Sequence, residues 1–232
     1  SAFGIHGYHS FNKIKHTIIR NNNIGVSSNK GGQCIEECDI INNIIGINST
    51  GHPSILDSVV SCWISGNDSV GMYGSRIIYG NNIGLDKDQK TSMPNGYGII
   101  TSDYTDIIKY NIVAGNTRCG ILTSQESSLD TISENFIGTN RNLDINPILG
   151  NGEDGIRGAN GDWGYLPSIS NCYFMNNHGS GLNAILEGTV SSCVFSNNSV
   201  NGAIFTDFKG LSRFKQCSFS DNKKGGLALL GQ

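Results

Sequence analysis

The segment Cys193-Val-Phe-Ser-Asn-Asn198 is one of nine related copies that recur along the chain and predict its fold. In each copy a Cys, Asn or Thr is followed two residues later by a large apolar residue. Five residues after the first position comes an Asn in eight copies and Asp86 in the fourth. The copies begin at Thr17, Cys38, Cys62, Asn81, Asn111, Asn135, Cys172, Cys193 and Cys217. Their spacing runs from 19 to 37 residues and averages 25 (200 residues over eight steps), which is a period typical of solenoids.

Three apolar columns keep register with this repeat. The first lies two residues after the Cys/Asn/Thr position: Ile19, Ile40, Ile64, Ile83, Val113, Ile137, Phe174, Phe195 and Phe219. The second lies three residues before that position: Ile14, Ile35, Val59, Ile78, Ile108, Ile132, Ile169, Val190 and Phe214. The third follows a Gly after the Asn: Val26, Ile47, Met72, Ile99, Ile121, Ile156, Leu182, Ala203 and Leu227, with Gly4-Ile5 one coil earlier. No polar residue interrupts any of the three, which indicates a buried face.

The columns predict short β-strands, because apolar positions alternate with polar neighbours that face outward. One coil cannot bury its own apolar face, but coils stacked about 4.8 Å apart bury all of them in one core. The period leaves no room for an amphipathic helix. We therefore predict an all-β chain, a right-handed single-stranded parallel β-helix of about nine coils that forms a single domain over residues 1–232. The chain starts at Ser1 without Met and has no obvious caps, so we expect an excised or processed part of a longer protein.

The polar positions of the repeat also have a structural interpretation. Asn suits tight turns, because it tolerates left-handed dihedral angles, and stacked Asn side chains can hydrogen-bond along the ladder. The five cysteines that share the first position of the repeat favour an inward stack of small, free thiols. Disulfides between adjacent coils and a metal site are the alternatives for this column.

Composition and charge exclude two classes of partner. The formal net charge is −3 and the basic residues are scattered, so no Lys/Arg stripe is available to neutralise a run of phosphates, and we predict no nucleic-acid binding. No apolar run approaches the roughly 20 residues that cross a bilayer, so we predict no membrane span.

At the level of motifs, the chain resembles the parallel β-helix repeat proteins of the pectin-lyase-like superfamily over essentially its whole length. The segments Cys193–Asn198 with Asn201-Gly-Ala-Ile204, and Cys217–Asn222 with Gly225-Gly226-Leu227, resemble the Phe-x-x-Asn and Gly-Gly-Ala repeats of bacterial polymorphic outer-membrane proteins. The pattern that begins at Asn135-Phe-Ile-Gly-Thr-Asn140 is similar to repeats of secreted bacterial and viral β-helices. The resemblance implies a secreted, cell-surface or virion-surface protein whose ligands or substrates are polysaccharides.

Two insertions in the repeat indicate where a functional site is expected. The step from Asn to the next Gly is three or four residues in seven coils, but 12 from Asp86 to Gly98 and 15 from Asn140 to Gly155. Because both insertions leave the same edge two coils apart, we expect a groove about 10 Å wide between residues 86–98 and 140–165, with Arg118 on its floor. The alternative is that both are tolerated surface loops.

Outward residues next to that edge supply candidate site residues. Asp103 and Glu126 fall on adjacent coils and are the candidate catalytic pair, because glycoside hydrolysis requires two carboxyl groups roughly 5 to 9 Å apart. The same carboxylates would suit calcium, the one cofactor considered. Exposed rings and charged groups beside them suit sugar binding, and the candidate substrate-binding residues are Arg118, Arg157, Tyr104, Asp162, Trp163 and Tyr165. Solvated side chains without a role are the alternative for each of them.

Two functions remain open at this point. The first is a surface or secreted domain that recognises a polysaccharide or cell-surface glycan, with polysaccharide lyase or glycoside hydrolase activity as its enzymatic form. The second is a non-catalytic adhesin, stalk or viral fibre domain. The paired Asp-Asp and Gly-His-Gly motifs of pectin-degrading hydrolases do not occur here, and the five histidines do not cluster, which weakens the enzyme hypothesis. Homotrimers and end-to-end stacking through uncapped coils are the candidate assemblies.

Overall fold

Three parallel sheets run the length of the molecule. The structure, a computed structural model, describes residues 3–8, 12–29, 33–49, 58–102, 105–124, 129–158, 165–166, 168–186, 188–206 and 213–230. The first sheet consists of strands Phe3–Tyr8, Ile24–Asn29, Ile45–Ser49, Val70–Tyr73, Tyr97–Ile100, Ile121–Leu122, Ile156–Arg157, Leu182–Leu186, Asn201–Thr206 and Gly225–Leu230, with Tyr165–Leu166 paired to Leu182–Leu186.

The other two sheets contain one strand from each coil in turn. The second consists of Asn12–Lys15, Gln33–Glu36, Ser58–Val60, Ile77–Tyr79, Ile107–Lys109, Thr131–Ser133, Ser168–Ser170, Thr189–Ser191 and Arg213–Lys215. The third consists of Ile18–Arg20, Asp39–Ile41, Trp63–Ser65, Asn82–Ile83, Ile112–Val113, Phe136–Ile137, Tyr173–Met175, Val194–Ser196 and Ser218–Ser220. Each strand pairs in parallel with the equivalent strand of the next coil, so the chain winds into a β-helix close to the predicted number of about nine coils.

The three apolar columns form the core, as predicted. In each sheet the column residues are register partners from coil to coil, for example Ile14 with Ile35, Ile19 with Ile40, and Ile5 with Val26. Together they make up most of one continuous buried cluster. At one end, the rings of Phe174 and Phe195 stack nearly parallel with centroids 4.6 Å apart. The side-chain pattern in the sequence thus records the inward face of every coil.

Two polar ladders run along neighbouring corners of the coils. The first, between the second and third sheets, is the Cys/Asn/Thr column, in which Cys38, Cys62, Cys172 and Cys193 are buried. All seven cysteines are free thiols, so the predicted stack of inward thiols is confirmed. The second ladder, between the third and first sheets, is made only of Asn, and its side-chain amides donate from coil to coil over 2.9 to 3.2 Å.

The composition of this second ladder corrects the sequence alignment in two coils. Asp86 and Asn140 do not occupy the ladder; Asn95 and Asn151 do. The complete ladder is Asn22, Asn43, Asn67, Asn95, Asn116, Asn151, Asn177, Asn198 and Asn222. The insertions therefore enter before the ladder Asn rather than after it, and the step from ladder Asn to Gly is three or four residues in every coil.

The left-handed turn residue also differs from the prediction. It is the residue before the ladder position, not the ladder Asn itself, in all nine coils of the first ladder and in seven of the nine coils of the second. At the first corner all nine such residues have φ between 49° and 68°: His16, Glu37, Ser61, Gly80, Tyr110, Glu134, Asn171, Ser192 and Gln216. At the second corner the same conformation is adopted by Asn21, Asn42, Gly66, Gly115, Asn176, Asn197 and Asp221. In an Asn-Asn pair, therefore, the first residue adopts the left-handed turn conformation and the second forms the hydrogen bonds of the ladder.

The two insertions pack against the outer surface of the third sheet. Leu85, at the start of the first insertion, and Leu149, in the short 3₁₀ helix Pro147–Leu149 of the second, form a small buried cluster with Ile112 and Ala114. The insertions also touch, because Asn140 Nδ2 donates to the carbonyl oxygen of Gln89 over 2.9 Å. Coils that lie two steps apart are thus joined on the outside of the helix. Among the described residues, no helix is long and apolar enough to cross a lipid bilayer.

Candidate functional site

An open groove of about 270 Å³ lies where the first insertion meets the outer face of the third sheet. We call it the Trp63 groove. It is lined by Glu37, Asp39, Ser61, Cys62, Trp63, Gly80, Asn82, Lys87 and Gln89. One indole ring, two side-chain amides, one hydroxyl and charges of both signs therefore face a single depression.

Three successive coils form the floor of the groove. Asp39, Trp63 and Asn82 are register partners on neighbouring strands, at a position that faces away from the core. The indole Nε1 of Trp63 donates to the carbonyl oxygen of Leu85 over 2.7 Å, and this bond fixes the edge of the ring. The ring is half-buried, so part of it stays available to a ligand. Ring faces held in this way beside polar groups are typical of sugar-binding sites.

The corner residues of the same coils form one side of the groove. At the left-handed position, Ser61 and Gly80 are small, whereas their neighbours Glu37 and Tyr110 are large. The small pair leaves a gap in an otherwise bulky row. Beyond it, Tyr110 meets Tyr79 edge-on, with ring centroids 5.2 Å apart, and Tyr79 is 41% exposed. An aromatic pair thus lies beyond the small residues, outside the described lining of the groove.

The first insertion forms the opposite side. Its tip is a tight turn closed by Asp86, whose Oδ1 accepts the backbone N–H of Lys90 over 2.8 Å and whose Oδ2 accepts the hydroxyl of Thr91 over 2.7 Å. Burial opposes the charge of Asp86, but these hydrogen bonds outweigh it and lower the pKa of the carboxyl. A second anchor is Asn82 Nδ2, which donates to the carbonyl oxygen of Asp86 over 2.8 Å. The turn therefore presents Lys87 from a well-held backbone.

The charges in the groove are arranged around Lys87. Its Nζ lies 2.6 Å from Asp39 Oδ2 and 5.0 Å from the centroid of the Trp63 ring. The side chain of Lys87 is 59% exposed, while that of Asp39 is 20% exposed. The other carboxylate, Glu37, pairs with Nδ1 of His16 over 3.0 Å at the corner. With two carboxylates and one ammonium, the groove itself carries a net negative charge.

A second groove is larger but has a different character. It has a volume of about 460 Å³ and lies beneath the second insertion, lined by Ile145, Pro147, Asn176, His178, Asn197, Ser199, Asp221 and Lys223. Its described lining contains no Trp, Tyr or Phe ring. The Trp63 groove is therefore the better candidate for stacking on a sugar.

Comparison with known proteins gave one match. The family model described as the right-handed beta helix region matches residues 92–232, more than half of the chain. The chain belongs to the right-handed β-helix family. This match agrees with the wound sheets and confirms the predicted fold class. Neither curated proteins nor solved structures yielded a match.

The predicted substrate-binding arginines of this β-helix both lie in an ion-pair cluster on the far side of the Asn ladder. Arg118 Nε is 3.3 Å from Glu153 Oε1, and Arg157 Nη1 is 2.9 Å from Glu153 Oε2. Arg157 Nε is 2.8 Å from Oδ2 of Asp154, which is nearly buried. The cluster brings together two residues that are 39 positions apart in the chain, but it pairs each guanidinium with a carboxylate of the protein itself.

Electrostatics within this cluster of the β-helix favour the paired state. Partial burial opposes the charge of Glu153, yet the hydrogen bond from Cys119 and the charges of Arg157 and Arg118 outweigh it and lower the pKa of the carboxyl. Burial, followed by the hydrogen bond to Glu153, raises the pKa of the Cys119 thiol to about 12. The thiol therefore remains protonated at neutral pH and acts as a hydrogen-bond donor.

The groove expected between the two insertions is not formed as predicted. The insertions contact each other through Asn140 and Gln89. Both also bond to the coil between them. Ser92 Oγ of the first insertion donates to the carbonyl oxygen of Gly115, and the N–H of Gly115 donates to the carbonyl oxygen of Leu149 in the second. Arg118 lies past the ladder, where its guanidinium stacks on the Tyr97 ring at 4.5 Å. Because the insertions enter upstream of the ladder, they cover the third sheet and leave Arg118 outside them.

The other predicted site residues of the β-helix are not tested by its described part. Asp103, Tyr104, Glu126, Asp162 and Trp163 lie outside the described residues, and Tyr165 is described only as part of a strand. Their assignments, including the catalytic pair and the calcium site, stay predictions. Among the described residues, no three His, Cys, Asp or Glu side chains are grouped to hold a metal ion.

The Trp63 groove was not among the sites predicted from the sequence. Trp63 lies in the copy of the repeat that begins at Cys62, next to the inward Ile64, and strand alternation alone places it on the outer face. The signal for the groove was the coincidence of an outward Trp, a small residue at two successive corners and the start of an insertion. The position of Lys87 depends on the folded turn and had no counterpart in the repeat.

Proposed function

We propose that this β-helix is a secreted or surface carbohydrate-recognition protein that binds glycans in the Trp63 groove. The observation that carries the proposal is the half-exposed Trp63 ring, fixed through its N–H and flanked by Asp39, Asn82 and Gln89. Such a site offers a flat apolar face for a sugar ring and polar atoms for its hydroxyl groups. The resemblance of the repeats to those of polymorphic outer-membrane proteins supports a surface location.

The test compares binding to a glycan panel by the wild type and two variants. Trp63→Ala removes the stacking face, and we expect glycan affinity to fall about fivefold or more, since stacking on a ring contributes on the order of 1 kcal/mol. Ile18→Ala is the matched control: Ile18 occupies the same outward column, is 63% exposed and lies outside the groove lining. Equal binding by all three proteins, with unchanged melting temperatures, would contradict the proposal.

Polysaccharide cleavage is the finer form of this proposal and depends on Asp103 and Glu126, which follow strands of the first sheet and not of the third. It is tested by incubation with acidic and neutral polysaccharides, followed by detection of new reducing ends or unsaturated products. We expect the Asp103→Ala/Glu126→Ala double variant to lose any such activity and to keep glycan binding. Full activity in that variant would exclude this pair.

The second candidate function is a non-catalytic adhesin, stalk or viral fibre domain. The observation that favours it is the unbroken packing of the described coils, together with an arginine cluster whose charges are already paired. This function requires no ligand at the Trp63 groove. Homotrimers and end-to-end stacking are proposals that belong to it, and the mass of the protein in solution tests both.

A further inference from the structure

The Trp63 groove already holds an ammonium group. Lys87 Nζ lies over the Trp63 ring at 5.0 Å and against Asp39 Oδ2 at 2.6 Å. A ring face and a carboxylate are the two groups that recognise a cationic amine, the first through its quadrupole and the second through charge and hydrogen bonding. The centre of the groove is thus built for a positive charge, and the protein's own side chain occupies it.

The contact with Lys87 is one that a ligand can replace. The backbone of the turn is well held, but the Lys87 ammonium stands on a flexible four-carbon stem that is largely exposed. Exposed ion pairs contribute little to stability, so displacing this one costs little. A ligand that supplied its own ammonium would restore both contacts, whereas an uncharged ligand that displaced Lys87 would leave the Asp39 carboxylate without a counter-charge.

The remaining charges of the groove also favour a cationic ligand. Its described lining contains Glu37 and Asp39 and no cation besides Lys87. Once Lys87 has moved away, the described lining holds two carboxylates and no cation, which disfavours glycans that carry uronic or sialic acids and favours cationic ones. Ser61, Gly80 and Gln89 leave room and polar partners for the neutral part of the sugar.

We infer that the ligand of the Trp63 groove is a glycan with free amino groups, in which the ammonium of an amino sugar takes the place of Lys87 between Trp63 and Asp39. This inference rests on the proposed function and narrows its substrate class. It also assigns a role to the first insertion: Lys87 closes the empty groove and competes with the ligand.

The experiment measures binding of oligoglucosamine and of its N-acetylated counterpart by titration calorimetry. The wild type is compared with Lys87→Met, which keeps the stem and removes the charge, with Asp39→Asn, and with Lys90→Met as a control on the same turn. We expect the wild type to prefer oligoglucosamine about tenfold, Lys87→Met to bind it more tightly than the wild type, and Lys90→Met to behave as the wild type. Asp39→Asn is expected to lose the preference.

The outcomes separate the inference from the proposal on which it rests. Equal or stronger binding of the N-acetylated oligomer, or an unchanged affinity in Lys87→Met, would overturn the amino-sugar assignment and leave glycan binding in place. If neither oligomer nor any member of the glycan panel binds the wild type or Lys87→Met at millimolar concentration, the inference and the proposed function both fail.

Discussion

The two polar ladders occupy neighbouring corners of the same coils, yet they differ in composition. The second ladder is Asn in all nine described coils, whereas the first mixes Asn, Cys and Thr. At the second corner each amide donates to the next amide and also to backbone carbonyls, as Asn116 does to Asn151, Ile83 and Ala114. At the first corner a thiol suffices in five coils. The comparison indicates that only the second corner has buried backbone groups that need a strong donor and acceptor in every coil.

The largest expected effect is the difference between two single truncations to Ala, one in each ladder of the same coil. Asn198→Ala removes an amide that donates to Asn222 Oδ1 and Phe174 O and accepts from Asn177, so we expect a loss of about 2–4 kcal/mol in the free energy of unfolding. Cys193→Ala removes a thiol whose described contacts are 3.3 to 3.9 Å long, and we expect a loss of about 1 kcal/mol. Urea unfolding measures both, and equal losses would remove the distinction between the ladders.

A smaller effect is expected within one Asn-Asn pair. Asn197 has φ 58°, so Asn197→Ala should cost about 1 kcal/mol and Asn197→Gly much less, because glycine adopts this conformation freely. At the ladder residue Asn198 the Gly and Ala variants should be destabilised to a similar extent, since both remove the amide. Thermal unfolding of the four variants tests this. If Asn198→Gly were as stable as Asn197→Gly, the turn and ladder roles of the two residues would not be distinct.

The smallest effect concerns acid. An Asn ladder does not titrate, so loss of stability at low pH must come from carboxyl groups outside it, such as that of Glu153. The pKa of Glu153 is lowered in the folded state; its contribution is therefore present above the unfolded value of about 4.3 and is lost as the pH falls below it. We expect Glu153→Gln to reduce the loss of stability between pH 5 and pH 3 by about 0.5 kcal/mol. Acid unfolding curves that coincide for wild type and variant would exclude this carboxyl as a contributor.

The fold could be predicted from the sequence because every coil repeats the same inward residues. The columns that begin at Ile14, Ile19 and Val26 lie in register in the three sheets, as the spacing indicated. The error was to assign Asp86 and Asn140 to the Asn ladder. Both follow their strand at the usual distance in sequence, but neither lies at the ladder position in the structure. Counting back three or four residues from Gly98 and Gly155 would have found Asn95 and Asn151, because the distance from ladder to Gly is constant.

The site was less accessible to such reasoning, because insertions do not repeat. The outward position of Trp63 follows from strand alternation, but its contact with Lys87 depends on how the turn at Asp86 folds. Similarly, Arg118 and Arg157 were predicted to bind substrate, whereas their ion pairs with Glu153 and Asp154 were not predicted. A periodic pattern predicts what each coil shares and carries little information on contacts that occur once.

The contact between the two insertions has a consequence for how the molecule unravels. In a plain solenoid each repeat interacts only with its immediate neighbours, so an end can fray one repeat at a time. Here Asn140 reaches Gln89 across an intervening coil, and Leu85 and Leu149 share one cluster. Under a pulling force, coils four to six should therefore open in a single step, as a rigid central block flanked by segments that peel away gradually.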